Sequence, residues 1–233
     1  MVSSSSKSLQ NLATDTWVKA SWEDFLALAD DSTYANGRFY YHQGYLRIEM
    51  SPLGPRHGRQ NAIISKVASL FASLRNIPIV EFINTSFRKA GLDEFQPDLA
   101  FYLGSGLRVP PDTNSPVDLN EYDPPTLVVE IGASSLSDDL GRKRLLYERA
   151  GVQDYWVNDA NAREAMCATA PRFANAFAIA EGRSGEIQES QVLPGLALPS
   201  GIASLHAIVE EALQRSQTQD DGEINRWLLQ SFS

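Results

Sequence analysis

The chain is poor in cysteine and histidine, and it has no long apolar run. Its 233 residues include one cysteine, Cys167, and three histidines. A single cysteine excludes an internal disulfide and a multi-cysteine zinc site. No stretch approaches the roughly 20 apolar residues of a membrane span, and the polar start MVSSSSKSLQNLATDT lacks the apolar core of a signal peptide. These features predict a cytoplasmic protein.

An excess of positive charge is also missing, because the net charge is −9 and the pI is ≈ 4.8. Nucleic-acid coat proteins draw much of their affinity from Lys and Arg on phosphates, so this class is disfavoured. A nuclease is not excluded, since a metal site needs acids and a basic patch can lie on an acidic protein. One local basic group consists of Arg142, Lys143, Arg144 and Arg149.

The composition is that of a globular protein, with 43% hydrophobic and 21% charged residues. The length favours one domain. The serine-rich residues 1–15 are expected to be a disordered arm, residues 16–214 the folded domain, and residues 215–233 a C-terminal tail or helix.

Periodicity predicts an α/β protein of the mixed α+β kind, with a central mixed β-sheet flanked by helices and an N-terminal hairpin. Residues 38–50 form the hairpin, with its turn at Gln43-Gly44. Strands are expected at 77–80, 82–87, 96–103, 127–131 and 155–157, with weaker ones within 163–193. Helices are expected from Ser21, at 57–75, at 139–150 and at 205–213, and residues 104–125 form a proline-rich loop.

Two carboxylates occupy strand positions where acids are uncommon. Asp98 follows Pro97 at the start of a strand, and Glu130 lies in the apolar run LVVEI. A carboxylate in such a place requires a cation or hydrogen bonds. If the two strands are neighbours, both acids can bind one Mg²⁺ or Mn²⁺ through oxygen and leave room for water. Such a site suits metal-dependent hydrolysis of phosphodiesters.

Lys143 is the third candidate, and it shares a helix face with Asp139 four residues earlier. An ammonium beside the metal would orient water and offset negative charge in the transition state. Two alternatives stay open. The two residues can form a solvated surface pair of small energetic value, or Asp139 can cap the helix, with Ser137 and Asp138 as competing caps.

His57 opens the long helix after a Pro/Gly turn. A neutral imidazole there can bind metal or carry a proton. On the residues alone, a helix-start histidine that makes one backbone hydrogen bond is the preferred interpretation.

The same residues resemble a known family. The matching segments are PDLAFY at 97–102, LVVEI at 127–131, SLSDDLGRKRLLYERAGVQDYWVND at 135–159, the hairpin YYHQGYLRIEMSP at 40–52 with the following His57, and VLPGLALP at 192–199. Together they resemble the Uma-two family of endonucleases over roughly residues 20–210.

The resemblance implies a restriction-endonuclease-like fold, whose active site combines a Pro-Asp with a Glu-x-Lys. Asp98 and Glu130 then correspond to the metal-binding acids, and the main chain of Ile131 helps to hold the metal. Gly132 stands where the standard pattern has lysine, and the family lysine matches Lys143 on the following helix. The family's hairpin glutamate is replaced by Tyr40, with Glu49 as a candidate substitute.

The leading hypothesis is a Mg²⁺- or Mn²⁺-dependent endonuclease acting on DNA, with Asp98 and Glu130 as metal ligands, Lys143 as a charge stabiliser, and His57 and Asp139 in support. The alternative is a catalytically inactive module of the same fold that binds nucleic acid or protein. A homodimer would allow both strands of a duplex to be cut. Residues 39–41 and 227–229 are candidate dimer faces, or else they complete the monomer core.

Overall fold

The structure, a computed structural model, describes residues 12–132, 134–161, 173–180, 183–196 and 205–233. Cys167 lies outside these ranges. The helices are α1 (Trp22–Ala29), α2 (Pro55–Leu74), α3 (Leu136–Asp138), α4 (Arg144–Ala150), α5 (Leu205–Arg215) and α6 (Asp221–Phe232). A π-helical segment, Asp139–Lys143, joins α3 to α4, and a 3₁₀ turn lies at Ser32–Tyr34.

The described strands form two sheets. The hairpin sheet contains β1 (Val18–Lys19), β2 (Arg38–His42), β3 (Tyr45–Glu49), β5 (Phe87–Lys89), β6 (Asp93–Phe95) and β8 (Val117–Asp118). The central sheet contains β4 (Ile79–Ile83), β7 (Leu99–Leu103), β9 (Leu127–Gly132), β10 (Asp154–Asp159), β11 (Phe173–Ala180) and β12 (Arg183–Glu186). The predicted mixed α+β class, the mixed central sheet and the N-terminal hairpin are confirmed.

The central sheet has the order β12-β11-β10-β9-β7-β4, and its β9–β10 pair is parallel while the other pairs are antiparallel. The crossover from β9 to β10 runs through α3, the π segment and α4. All six residues of β9 are buried, as its apolar sequence predicts for a central strand. Helices α2, α5 and α6 pack on one face of this sheet. The hairpin sheet and α4 cover the other face.

Local sequence signals explain the element boundaries near the site. Ser21 and Asp24 form a capping box at the start of α1. Gln43 and Gly44 both have positive φ, 51° and 77°, as the tight hairpin turn requires. Gly151 ends α4 in the left-handed conformation.

Three boundaries differ from the sequence prediction. In place of the two strands expected at 77–80 and 82–87 there is one strand, β4 (Ile79–Ile83), and a turn at Asn84 with φ 51° follows it. The chain leaves the central sheet at this turn and enters the hairpin sheet as β5. The short strand β8 lies inside the predicted loop and pairs with β5. The predicted strand at 96–103 begins at Leu99, which leaves Asp98 just outside its ladder.

The two candidate dimer faces contribute to the monomer core. Tyr40 and Tyr41 of the hairpin are buried, and so is Leu228 of α6. Phe232 packs edge-on against Phe71 of α2, with 5.2 Å between the ring centroids. Within the described ranges, no helix combines the length and the apolar character needed to cross a membrane.

Candidate active site

Asp98 and Glu130 meet because of the register between β7 and β9. Leu99 pairs with Val129 in this antiparallel ladder, so the next position outward sets Asp98 opposite Glu130. Both side chains are buried. The predicted neighbouring strands are therefore observed, and the two acids lie side by side at the end of the ladder.

Asp98 accepts two hydrogen bonds and is in close contact with a histidine. The Nη1 of Arg38 donates to its Oδ1 at 2.6 Å, and the backbone N–H of Ile131 donates to its Oδ2 at 2.7 Å. The Nε2 of His57 lies 3.0 Å from Oδ1. Burial raises the pKa of Asp98, but the contacts with His57 and Arg38 outweigh it and keep the pKa below its usual value.

His57 lies in the first turn of α2, whose first residue is Pro55. Its side chain is buried and is directed at the Asp98 carboxylate. The helix-start histidine with only a backbone partner, which the residues alone favoured, is therefore wrong. The main chain of Ile131 contacts the site through its N–H, which donates to Asp98. Its expected role in holding the metal stays a prediction.

Glu130 receives its donors on a single oxygen. The hydroxyls of Tyr147 and Tyr40 donate to Oε1 at 2.5 and 3.1 Å, and the Nζ of Lys143 lies 3.4 Å from the same atom. No residue in the described part of the chain donates to Oε2. Burial raises the pKa of Glu130 to about 8, although Lys143 acts in the opposite direction. This carboxyl group therefore lacks enough positive charge around it.

Lys143 lies at the centre of the site. Its Nζ is 2.9 Å from Oε1 of Glu49 and 2.9 Å from Oδ1 of Asp139, and it lies over the ring of Tyr40. The lysine and Asp139 are both completely buried. Burial alone would lower the pKa of Lys143, but Asp139 and Glu130 raise it well above its ordinary value.

The two alternatives for Asp139 and Lys143 are both wrong. The pair is buried, so it is not a solvated surface pair. Asp139 also lies after α3 rather than at its N-cap, which is Ser135. Its Oδ2 accepts a hydrogen bond from the Ser135 hydroxyl at 2.7 Å. Asp139 and Lys143 are the first and last residues of the π segment, a rare conformation that is often found at functional sites.

Gly132 explains why the lysine is not on the strand. A Cβ at this position would lie 2.6 Å from Oδ2 of Asp139 and 3.1 Å from the Cα of Leu136. No longer side chain fits there without moving the backbone of α3. The ammonium therefore reaches Glu130 from the helix side.

We expect Gly132→Ala to lower the free energy of unfolding by about 1–3 kcal/mol, because the methyl group overpacks a buried carboxylate and a backbone turn. Chemical denaturation measures this change. Gly141→Ala is the matched control, since Gly141 is also within the crossover but a Cβ there has no neighbour within 4 Å. Equal effects of the two substitutions would contradict the close packing of Gly132.

The sequence analysis missed Arg38, Arg47 and Tyr147, and it named Glu49 only as a candidate substitute for the hairpin glutamate. Arg38 and Glu49 form a cross-strand pair at the open end of the hairpin, and the Nη2 of Arg38 donates to Oε2 of Glu49 at 2.7 Å. Burial opposes ionisation of Glu49, but Lys143 and Arg38 lower its pKa to about 2. Glu49 thus supplies the carboxylate of the hairpin, while Tyr40 donates to Glu130. The hairpin register indicates that Arg38 and Glu49 lie opposite each other, but not that the pair is buried in the site.

A cavity of about 80 Å³ opens next to these groups. Its walls include Arg38, Glu49, His57, Ile131 and Ser135. Asp98 and Glu130 supply hard oxygen atoms, which suit Mg²⁺ or Mn²⁺, and a small divalent ion keeps several waters when two acids hold it. In the described ranges no group of three or more His, Cys, Asp and Glu side chains is arranged to hold a metal. A divalent ion would therefore have to be held by these two acids together with water.

Comparisons with known proteins identify the fold and the family of the chain. No curated protein matches the chain. It is similar to a crystal structure from Anabaena variabilis ATCC 29413, described as "a putative nuclease belonging to DUF820". The two share 17% sequence identity, with a TM-score of 0.50, over 83% of this chain and 98% of the other. This likeness confirms the predicted restriction-endonuclease-like fold.

The model of one protein family, Uma2, described as "Putative restriction endonuclease", matches residues 22–201. The match spans the hairpin, α2, both acid-bearing strands and the crossover with Lys143. The chain belongs to the Uma2 family.

Proposed function

We propose that this protein is a metal-dependent endonuclease that hydrolyses phosphodiester bonds in DNA. The observation that carries the proposal is the meeting of Asp98 and Glu130 across β7 and β9, with the Nζ of Lys143 3.4 Å from Glu130. Two acids and a lysine from three separate elements converge in a buried site beside a cavity. Perturbed ionisable groups of this kind concentrate at catalytic sites.

Each residue has a distinct role in the proposed reaction. Asp98 and Glu130 would hold Mg²⁺ or Mn²⁺, which supplies charge for the phosphoryl oxygens and lowers the pKa of a water. Lys143 stabilises the negative charge that develops in the transition state. His57 and the Ile131 main chain orient Asp98. Asp139 positions the Lys143 ammonium.

The first test is Mn²⁺ binding by calorimetry on the wild type and on Asp98→Ala/Glu130→Ala. We expect binding by the wild type and none by the double variant, since both acidic ligands are gone. The matched control is Asp112→Ala/Glu189→Ala, which removes two exposed acids and should bind like the wild type. Metal-dependent nicking of a plasmid is the second measurement. A wild type that binds no Mn²⁺, even with DNA present, would sink the proposal.

The second candidate is an inactive module of the same fold that binds nucleic acid or protein. It is favoured by the −9 net charge and by the internal pairing of the site acids with Arg38 and Lys143. Such a module would bind a partner without binding Mn²⁺. The DNA substrate, the homodimer and the cytoplasmic location stay predictions, and gel filtration of the full chain tests the dimer.

A further inference from the structure

Arg38 is the charged side chain that links the two acidic parts of the site. It begins β2, and its two Nη atoms contact Asp98 at 2.6 Å and Glu49 at 2.7 Å. Its side chain is 14% exposed, against 1% for Asp98, and it lines the cavity. Arg38 therefore lies between Asp98 and the cavity, which Arg38 and Glu49 both line.

The charge balance explains why an arginine is present. Four carboxylates are buried together, namely those of Asp98, Glu130, Glu49 and Asp139. Lys143 contacts the last three, and the buried Arg47 also pairs with Glu49 at 2.9 Å. Asp98 has Arg38 as its permanently charged partner, because its other contacts are a backbone N–H and a histidine. A buried carboxylate without a cation is strongly destabilising.

A divalent ion at Asp98 would also neutralise this buried carboxylate. The ion and the guanidinium would then carry like charges at one carboxylate, where their repulsion is large because the surroundings are buried. Oδ1 of Asp98 already accepts a hydrogen bond from Arg38 and lies 3.0 Å from the Nε2 of His57, so a bound ion would have to compete with the guanidinium for this carboxylate.

We propose that Arg38 stands in for the divalent ion, keeps Asp98 and Glu49 in place without metal, and yields Asp98 when the metal binds. This inference rests on the proposed metal-dependent function. The exchange is feasible because Asp98 keeps its hydrogen bond from the N–H of Ile131. Arg38 keeps Glu49 through its second Nη atom and has the cavity beside it. Arg38 is thus a positioning residue that sets the metal affinity.

The test is Mn²⁺ calorimetry at pH 7 on the wild type and on Arg38→Gln. Without the competing charge, we expect Mn²⁺ to bind about tenfold more tightly to Arg38→Gln. The metal-free variant should melt at a lower temperature than the wild type, and Mn²⁺ should raise its melting temperature by more. Arg88→Gln is the matched control, because Arg88 also pairs with a buried acid, Glu94, but does not line the cavity. Its Mn²⁺ affinity should equal that of the wild type.

Weaker or unchanged Mn²⁺ binding by a folded Arg38→Gln variant would overturn the inference, because a merely structural arginine loosens the site when it is removed. If Arg38→Gln fails to fold, the same Mn²⁺ calorimetry on Arg38→Lys tests the inference. The single ammonium of lysine cannot contact both carboxylates as the guanidinium does. The Mn²⁺ affinity of Arg38→Lys should therefore be about threefold higher than that of the wild type, and no rise would overturn the inference. A wild type that binds no Mn²⁺ is the separate failure of the proposed function.

Discussion

Replacement of Lys143 by methionine is expected to lower the free energy of unfolding by about 3–5 kcal/mol, the usual result of removing one partner of a buried ion pair. Methionine preserves the approximate length and packing of the side chain, so the loss reports the charge. Three buried acids, Glu49, Asp139 and Glu130, then share a site without their central cation. Urea denaturation followed by tryptophan fluorescence measures the change.

A second substitution separates charge from packing. In the Lys143→Met background, Asp139→Asn removes one of the unpaired charges and should recover about 1–2 kcal/mol. The control is Lys66→Met, because Lys66 is partly exposed and pairs with the exposed Asp221. Its cost should stay below about 1 kcal/mol. If Lys143→Met cost no more than this control, Lys143 would not hold the site together.

The central strands and the two acids were predictable because both leave local signals. The run LVVEI is apolar on both faces, which marks a central strand, and a glutamate within it has no solvated position. Pro97 marks the start of the neighbouring strand and places Asp98 outside its ladder. The expectation that the two acids lie side by side followed from these positions and needed only that the strands be adjacent.

The charged partners of those acids could not be predicted, because they come from distant parts of the chain. Arg38 and Asp98 are separated by 60 positions. Charges at the ends of hairpin strands are solvated in most proteins, and nothing near Arg38 or Glu49 indicates burial. The i,i+4 spacing of Asp139 and Lys143 is likewise typical of an exposed pair on a helix surface. The burial of this pair depends on the hairpin sheet that covers this face, which only the tertiary structure reveals.

The position of the lysine follows from packing at Gly132. The crossover begins directly after β9, and α3 approaches so closely that a side chain at 132 would collide with Asp139. The same approach brings the π segment over Glu130, and Lys143 reaches that carboxylate within 3.4 Å. Lys143 of the crossover thus supplies the ammonium that the standard pattern places on the strand.

A pH-dependent loss of stability is expected from Glu94, outside the active site. This residue lies on β6, is buried, and is paired with Arg88 at 2.6 Å. Burial nevertheless raises its pKa to about 7 from an ordinary value of 4.5, although Arg88 acts in the opposite direction. Between these two values the folded state binds more protons than the unfolded state, so stability falls as the pH rises. The difference amounts to about 3 kcal/mol and is complete above pH 7.

Glu94→Gln should remove this dependence, because glutamine stays neutral and can still accept a hydrogen bond from Arg88. The free energy of unfolding of the variant, relative to the wild type, should therefore rise by about 3 kcal/mol between pH 4.5 and pH 8. Taking the difference at each pH cancels the titration of other groups. Glu189→Gln, at an exposed glutamate, is the control and should follow the wild type at every pH. A Glu94→Gln curve parallel to that of the wild type would mean that Glu94 is ionised throughout this range, with Arg88 fully compensating for its burial.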